Sequence, residues 1–168
     1  MPWNRNPISP KTISARPISS RVRRFKRRDL ERVLAIERAC FGKDAWPSEL
    51  FIAYFRASPE LFLVAMHGRR IAGYSITRVD WRGAELESIA VDPKYHGRGV
   101  AQALLQATVS RLRTGTLRLM VGTDNEPALR FYQRFGFIRM RKVARYYGPG
   151  RDAWRMRLEL RPKQQTDE

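Results

Sequence analysis

A chain of 168 residues, 43% apolar and 11% aromatic, is long enough for one domain with a substantial core, which excludes global disorder in spite of a net charge of +17. Its longest apolar runs, Leu50–Phe55 and Leu61–Met66, fall far short of the ~18 residues that a membrane-spanning helix needs. One cysteine, Cys40, and two histidines, His67 and His96, exclude an internal disulfide framework and a Cys/His zinc cluster, so the chain reads as a reduced, cytoplasmic, metal-independent protein with no membrane contact.

Residues 1–28 hold nine Lys and Arg and no acid, with four prolines that interrupt any helical period. They read as a basic, disordered tail ahead of a domain over 29–160, which residues 161–168 follow as a polar C-terminal tail. Three roles stay open for the basic segment: a solvated tail, an arm that docks on nucleic acid or the ribosome, and an organellar transit peptide.

From Asp29, a good N-cap residue, Leu30, Val33, Leu34, Ala39 and Cys40 recur at helical spacing. Pro47 can open a second helix through Leu50, Phe51 and Tyr54, which Ser58-Pro59 ends. Two strand-like runs, 61–66 and 70–79, meet at the turn His67-Gly68-Arg69, and a third runs from Glu85 to Val91. A helix over about 98–113 follows, then a strand at 116–121, a helix over 126–135, and strands near 137–144 and 153–160. The order αα-βββ-α-β-α-ββ predicts an α+β fold, a sheet with helices on both faces.

Between the third strand and the long helix lies Val91-Asp92-Pro93-Lys94-Tyr95-His96-Gly97-Arg98-Gly99-Val100-Ala101-Gln102. Small residues at 97, 99 and 101 let backbone N–H groups approach a ligand, and the helix they open presents its positive end, which suits a pyrophosphate. The same spacing also serves a turn that binds nothing. Neither a Walker loop nor a dinucleotide fingerprint is present, since no Lys-Ser/Thr follows and the third glycine is missing.

The segment Asn125-Glu126-Pro127-Ala128-Leu129-Arg130-Phe131-Tyr132-Gln133-Arg134-Phe135-Gly136-Phe137, together with Ile89-Ala90-Val91-Asp92-Pro93 and the glycine loop, resembles the GNAT superfamily of acetyl-CoA-dependent N-acetyltransferases. The early helix, Trp46-Pro47-Ser48 and the late Arg145-Tyr146-Tyr147 and Arg151-Asp152-Ala153 resemble the RimI type, which acetylates protein N-termini. The resemblance covers about residues 29–160. It implies a mixed, mostly antiparallel sheet with a splayed strand pair, and acetyl-CoA as cosubstrate. Ile89, Ala90 and Val91 would line the pantetheine, with the Val91 N–H polarising the thioester carbonyl. Gly97, Arg98, Gly99, Val100, Ala101 and Gln102 would hold the pyrophosphate. Asn125 would bond the pantetheine arm, and Tyr132 would stand by the sulfur as general acid. Spacing alone also allows Tyr132 to be a core aromatic.

Two departures qualify the carry-over. His96 replaces the usual Arg or Gln before the glycine loop. Met120 falls where RimI-type enzymes carry a glutamate base, and a methionine accepts no proton. Glu85 and Glu87, two apart on one strand, share a face. Glu85 matches the base position of histone-acetyltransferase-like members, while Glu87, Tyr146 and Tyr147 would line the acceptor groove. The function expected is acetyl transfer to a primary amine, most simply a protein N-terminus, by direct attack in a ternary complex. The alternatives are acetylation of a small amine such as a polyamine, aminoglycoside or amino acid, and a basic RNA- or ribosome-binding module that keeps the fold without turnover.

Overall fold

The computed structural model describes residues 21–112 and 115–160. Seven strands pair in the order β1-β2-β3-β4-β5-β7-β6: β1 Arg21–Arg24, β2 Phe62–His67, β3 Arg70–Asp80, β4 Gly83–Val91, β5 Gly115–Gly122, β6 Ile138–Val143 and β7 Ala153–Leu160. The helices are α1 Leu30–Phe41, α2 Ser48–Ala57, α3 Val100–Leu112 and α4 Glu126–Phe135. Among the described residues, no helix is long and apolar enough to cross a membrane.

All neighbouring strands run antiparallel except β4 and β5. That parallel ladder joins only Ala84 to Leu117, Glu85 to Arg118 and Leu86 to Leu119, and past it the strands part. One side of the sheet packs Leu86, Ile89, Leu119 and Met156 against Val100, Leu104 and Leu105 of α3 and Ala128, Leu129 and Tyr132 of α4. The other packs Phe62, Tyr74, Ile76 and Ala90 against Val33, Ile36 and Phe51 of α1 and α2. Gly73 fixes how closely α3 sits. A Cβ there would lie 2.7 Å from the Ala90 carbonyl oxygen and 3.0 Å from a Val100 methyl, so only glycine fits without a shift.

The domain begins before residue 29, which corrects the expected boundary. Arg21–Arg24 pair with Met66–Leu63 at the sheet edge, and Phe25 is buried, its ring stacked on Phe62 at 4.0 Å. Asp29 does not cap α1 with its side chain. It instead accepts two hydrogen bonds from Arg23, at 2.6 and 3.0 Å, and one from the Lys26 N–H at 2.8 Å, tying the edge strand to the helix. Burial pushes the Asp29 carboxyl up, but Arg23 and that N–H outweigh it and hold the group below its ordinary range. The rest of the expected tail, residues 1–20, and the C-terminal segment 161–168 lie outside the described residues.

Phe25→Ala should therefore cost about 3–5 kcal/mol of stability, as for a buried aromatic truncated in a core. Urea unfolding checks it, and removal of residues 1–28 should destabilise the domain further because β1 goes with them.

Candidate active site

The splay of β4 from β5 creates the cleft. Along β4, the Asp92 N–H donates to Ala72 (2.8 Å), and the Ala90 carbonyl lies against Gly73, so these residues turn their backbone groups toward β3. Alternation then directs those of Ile89 and Val91 to the opposite edge, which β5 has left. The Val91 carbonyl there accepts from the His96 ring at 2.8 Å and from the Cys40 thiol at 3.3 Å. Because a carbonyl only accepts, His96 Nε2 carries the proton. His96 thus braces the strand end rather than reaching for a phosphate.

Asp92 anchors the turn that follows. Its carboxylate accepts from the Lys94 N–H (2.9 Å) and pairs with Arg32 of α1, whose Nε also donates to the Ile71 carbonyl. Burial raises the Asp92 carboxyl, and the Lys94 N–H and Arg32 together bring it below its usual range. Gly97 and Gly99 then take φ of +73° and +76°, the left-handed region that glycine occupies without strain. The first bond of α3 runs from Ala103 N to Gly99 O, so the N–H groups of Val100, Ala101 and Gln102 begin the helix without intrahelical acceptors. Arg98 stands exposed beside them, over the ring of Tyr95. Glycine turn, free N–H groups and helix dipole converge as an anion site, with the open edge of Ile89 and Val91 leading from it into the cleft.

α4 opens on the other wall. Asn125 caps it, its side chain accepting from the Ala128 N–H at 3.2 Å, so the Asn125 carbonyl oxygen serves the helix. Tyr132, two turns on from Asn125, is fully buried, its ring edge-on to Phe131 and Phe137. Burial, and then the neighbouring Tyr147, push its hydroxyl well above its ordinary value.

On the opposite face of the sheet Glu85 and Glu87 come together as their spacing predicts. Arg78 of β3 joins them, at 2.8 Å from Glu87 and 3.7 Å from Glu85. Glu87 occupies a β-bulge: Ile76 pairs with Ser88 and Thr77 with Leu86, leaving Glu87 as the extra residue at the point of divergence. Burial pushes the Glu87 carboxyl up, the Arg78 hydrogen bond pulls it down and the Glu85 charge raises it again, with a net rise. Tyr54 of α2 also hydrogen-bonds to Glu87. Tyr146 faces this pair: burial and then the charges of Glu85 and Glu87 push its hydroxyl up to about 12, with Arg155 opposing them.

Tyr147 departs from the expected groove lining. It is buried against Met120 and Ala153, beneath Tyr146 rather than beside it. Asp152 holds the loop that carries both tyrosines, accepting from the Arg145 N–H at 2.9 Å and pairing with Lys142 at 3.1 Å. Cys40 is no nucleophile: burial, Glu37 and Asp92 push its thiol up to about 12.

Sequence reasoning missed Arg78, Tyr54 and Glu37. Buried Glu37 accepts from the Trp46 N–H (2.6 Å) and from the Tyr74 hydroxyl, which also meets Ser88 at 3.2 Å, locking the α1–α2 loop to β3 and β4. The sequence signal for Arg78 was a charge on a strand whose register was unknown, and Glu37 and Tyr54, on α1 and α2, carried none that separates a buried partner from an ordinary helix residue.

Parted strands with a helix start suited to an anion on one face and paired carboxylates on the other suit an enzyme that joins two substrates. Residues 30–137 match the Acetyltransferase (GNAT) family, and the chain belongs to it. It is an acetyl-CoA-dependent acyltransferase with the GNAT fold. It is 32% identical over 154 residues to the N-alpha-acetyltransferase RimI of Mycobacterium tuberculosis, covering 88% of this chain and 96% of that protein. The structure of Ard1 from Thermoplasma volcanium superposes with a TM-score of 0.80 at 28% identity, over 86% of this chain and 99% of that one. The ribosomal-protein-S18-alanine N-acetyltransferase from Escherichia coli gives 0.75 at 25% identity, over 89% and 99%.

Gly99→Glu adds negative charge at the helix start and a side chain where φ is +76°, although no atom lies within 4 Å of its Cβ position. Titration calorimetry should show acetyl-CoA binding weakened by at least ten-fold, an unfavourable anion contact at a helix N-terminus compounded by backbone strain.

Proposed function

We propose that this chain transfers the acetyl group of acetyl-CoA to the α-amine of a protein N-terminus, by direct attack within a ternary complex, in the cytoplasm. The observation that carries the reading is the placement of Glu85, Glu87 and Tyr146 at the mouth of the splayed cleft, opposite the face that carries the anion site. The names of the relatives support the same acceptor class.

In this reading the N–H groups from Gly97 to Gln102 hold the pyrophosphate, and Ile89, Ala90 and Val91 run beside the pantetheine, with the Val91 N–H aimed at the thioester carbonyl. Asn125 meets the pantetheine arm while capping α4. Glu85 and Glu87 receive the cationic α-amine, and one of them, through water, takes its proton. Glu87, whose affinity for a proton is raised, suits that task better than Glu85, which lies alongside both Arg78 and Arg118. The neutral amine attacks the thioester carbon, and the C–S bond breaks as the tetrahedral intermediate collapses. Tyr132, protonated at neutral pH as an ordinary phenol is, gives its proton to the departing thiolate, and the proton that the nitrogen sheds on becoming an amide restores the phenol through water.

Met120 bears on the acceptor. An α-amine with pKa near 8 is roughly a quarter neutral at about pH 7.5, whereas a lysine near 10.4 is about one part in a thousand neutral. A weak, water-mediated base therefore suffices for N-termini.

Tyr132→Phe should lower kcat by about 10–10³-fold with acetyl-CoA affinity unchanged, because only the proton donor is lost. With a peptide bearing a free N-terminus and an internal lysine, tandem mass spectrometry should place the acetyl group on the N-terminus, and kcat/KM should rise with pH through the α-amine's own ionisation. Glu87→Gln should cost about ten-fold or less, and Glu85→Gln no more than that, below the ~10²–10⁴ of an essential acid–base group. Acetyl mainly on lysine, or activity abolished by either substitution, overturns the reading.

A further inference from the structure

The half of the sheet formed by β5, β7 and β6 carries an arginine cluster on the same face as Glu85 and Glu87. Cross-strand partners share a face, and the register places Arg78, Glu85, Arg118 and Arg157 in one row across β3, β4, β5 and β7. Met120, Arg155 and Arg141 form the adjacent row across β5, β7 and β6. Arg118 lies directly opposite Arg157 and Arg155 directly opposite Arg141, pairings of like charge that cost stability unless something offsets them.

A bulge builds this cluster. Arg139 pairs with Met156 and Arg141 with Arg155, so Met140 is the extra residue. Without it, Arg139 and Arg141 would share a face by strand alternation. With it, Arg139 packs over Trp154 on the helix side while Arg141 turns to Arg155. Arg118, Met140, Arg141, Arg155 and Arg157 line an open cleft of about 370 Å³. Its acids are few. Glu85 is the ladder partner of Arg118, Asp80 is 3.8 Å from Arg118, and exposed Glu159 is 3.0 Å from Arg157 Nε without hydrogen-bond geometry. The enclosed Nε atoms of Arg118 and Arg155 have no acceptor among the described residues. Donors withheld from water and left unmatched, beside like charges in register, call for an anionic occupant.

We propose that this cleft binds acidic side chains in the first residues of the acceptor polypeptide, making the enzyme selective for N-termini followed by Asp or Glu; this rests on the N-terminal acceptor proposed above. Position supports it. Met120, packed against Tyr147 next to Tyr132, is the ladder partner of Arg155, and Arg155 acts electrostatically on Tyr146. Arg118 is two residues further along β5, roughly 7 Å, and an extended acceptor advances ~3.3 Å per residue, so its second to fourth residues come level with the arginines. Guanidinium groups present forked donors that match carboxylates. Single-stranded nucleic acid fits less well, because its bases stack on aromatic rings and none lines this cleft.

The test compares two peptides with the same first residue, one carrying Asp and Glu at positions two to five and the other Asn and Gln, using the full chain. The acidic peptide should have kcat/KM higher by about ten-fold or more, expressed in KM, and the ratio should shrink toward one in about 1 M salt, where the Debye length falls to ~3 Å. Arg118→Gln combined with Arg141→Gln should reduce the ratio while an unchanged thermal transition certifies the fold. Should the pair fail to fold, Arg141→Gln alone, at an exposed position, should still lower it. Equal kcat/KM for both peptides, a preference indifferent to salt, or one that survives the arginine substitutions overturns the proposal and leaves N-terminal acetylation standing. An oligonucleotide that binds the cleft while the peptide ratio stays at one overturns it in favour of nucleic acid. Acetylation of neither peptide by enzyme that binds acetyl-CoA brings down the acceptor reading and this proposal together.

Discussion

Everything in the site depends on a ladder that stops. β4 and β5 share three residue pairs and then separate, and a parallel strand that loses its neighbour leaves backbone donors and acceptors facing a gap. The gap survives because the freed half of β4 is held elsewhere. β3 pairs it through Val91, Gly73 lets α3 pack close behind it, and His96 and Cys40 bond the Val91 carbonyl. The bulge at Glu87 falls where the strands begin to diverge. A uniform ladder along β4 and β5 would close the gap and leave the Ile89 and Val91 edge no open backbone to offer a ligand.

The same separation sorts the chemistry by face. α3, with its free N–H groups and positive end, belongs to the side that would stabilise an anionic donor, and Glu85 and Glu87 belong to the side where a cationic amine would arrive. Two substrates of opposite charge therefore need not compete for one field. Arg78 has a part in this balance. It offsets two carboxylates that would otherwise repel each other, yet burial still leaves the Glu87 proton affinity raised.

Much of this was legible in the chain. α4 spans the expected 126–135 because Asn125 caps it, Pro127 sits in its first turn and Gly136 ends it at φ +111°. β7 also keeps the expected limits, 153–160, whereas the helix expected from 98 starts at 100, since Gly99 is held outside helical φ. β1 could not be read, because in a run dominated by arginine only Val22 and Phe25 carry an apolar signal, and their burial depends on a strand some forty residues away. The bulges at Glu87 and Met140 were equally hidden. Each is a mismatch between two strands, and one strand's period contains no record of its partner's. The roles expected of the glycine loop, Asn125 and Tyr132 came from the resemblance rather than from spacing, which had left a plain turn and a core aromatic open.

Tyr132 shows why those two readings need not exclude each other. Its ring is wedged between Phe131 and Phe137 in the core shared by α3 and α4, and that packing raises the hydroxyl's proton affinity. Burial fixes the ring in place and leaves the phenol in its protonated form, which is what the proposed general acid requires. Tyr147 completes the enclosure from the opposite side, itself fixed between Met120 and Ala153. Met120 thus gives an apolar floor to the loop tyrosines, and in the proposed reaction the amine's first proton would leave toward Glu85 and Glu87, on the other face of the sheet from α4.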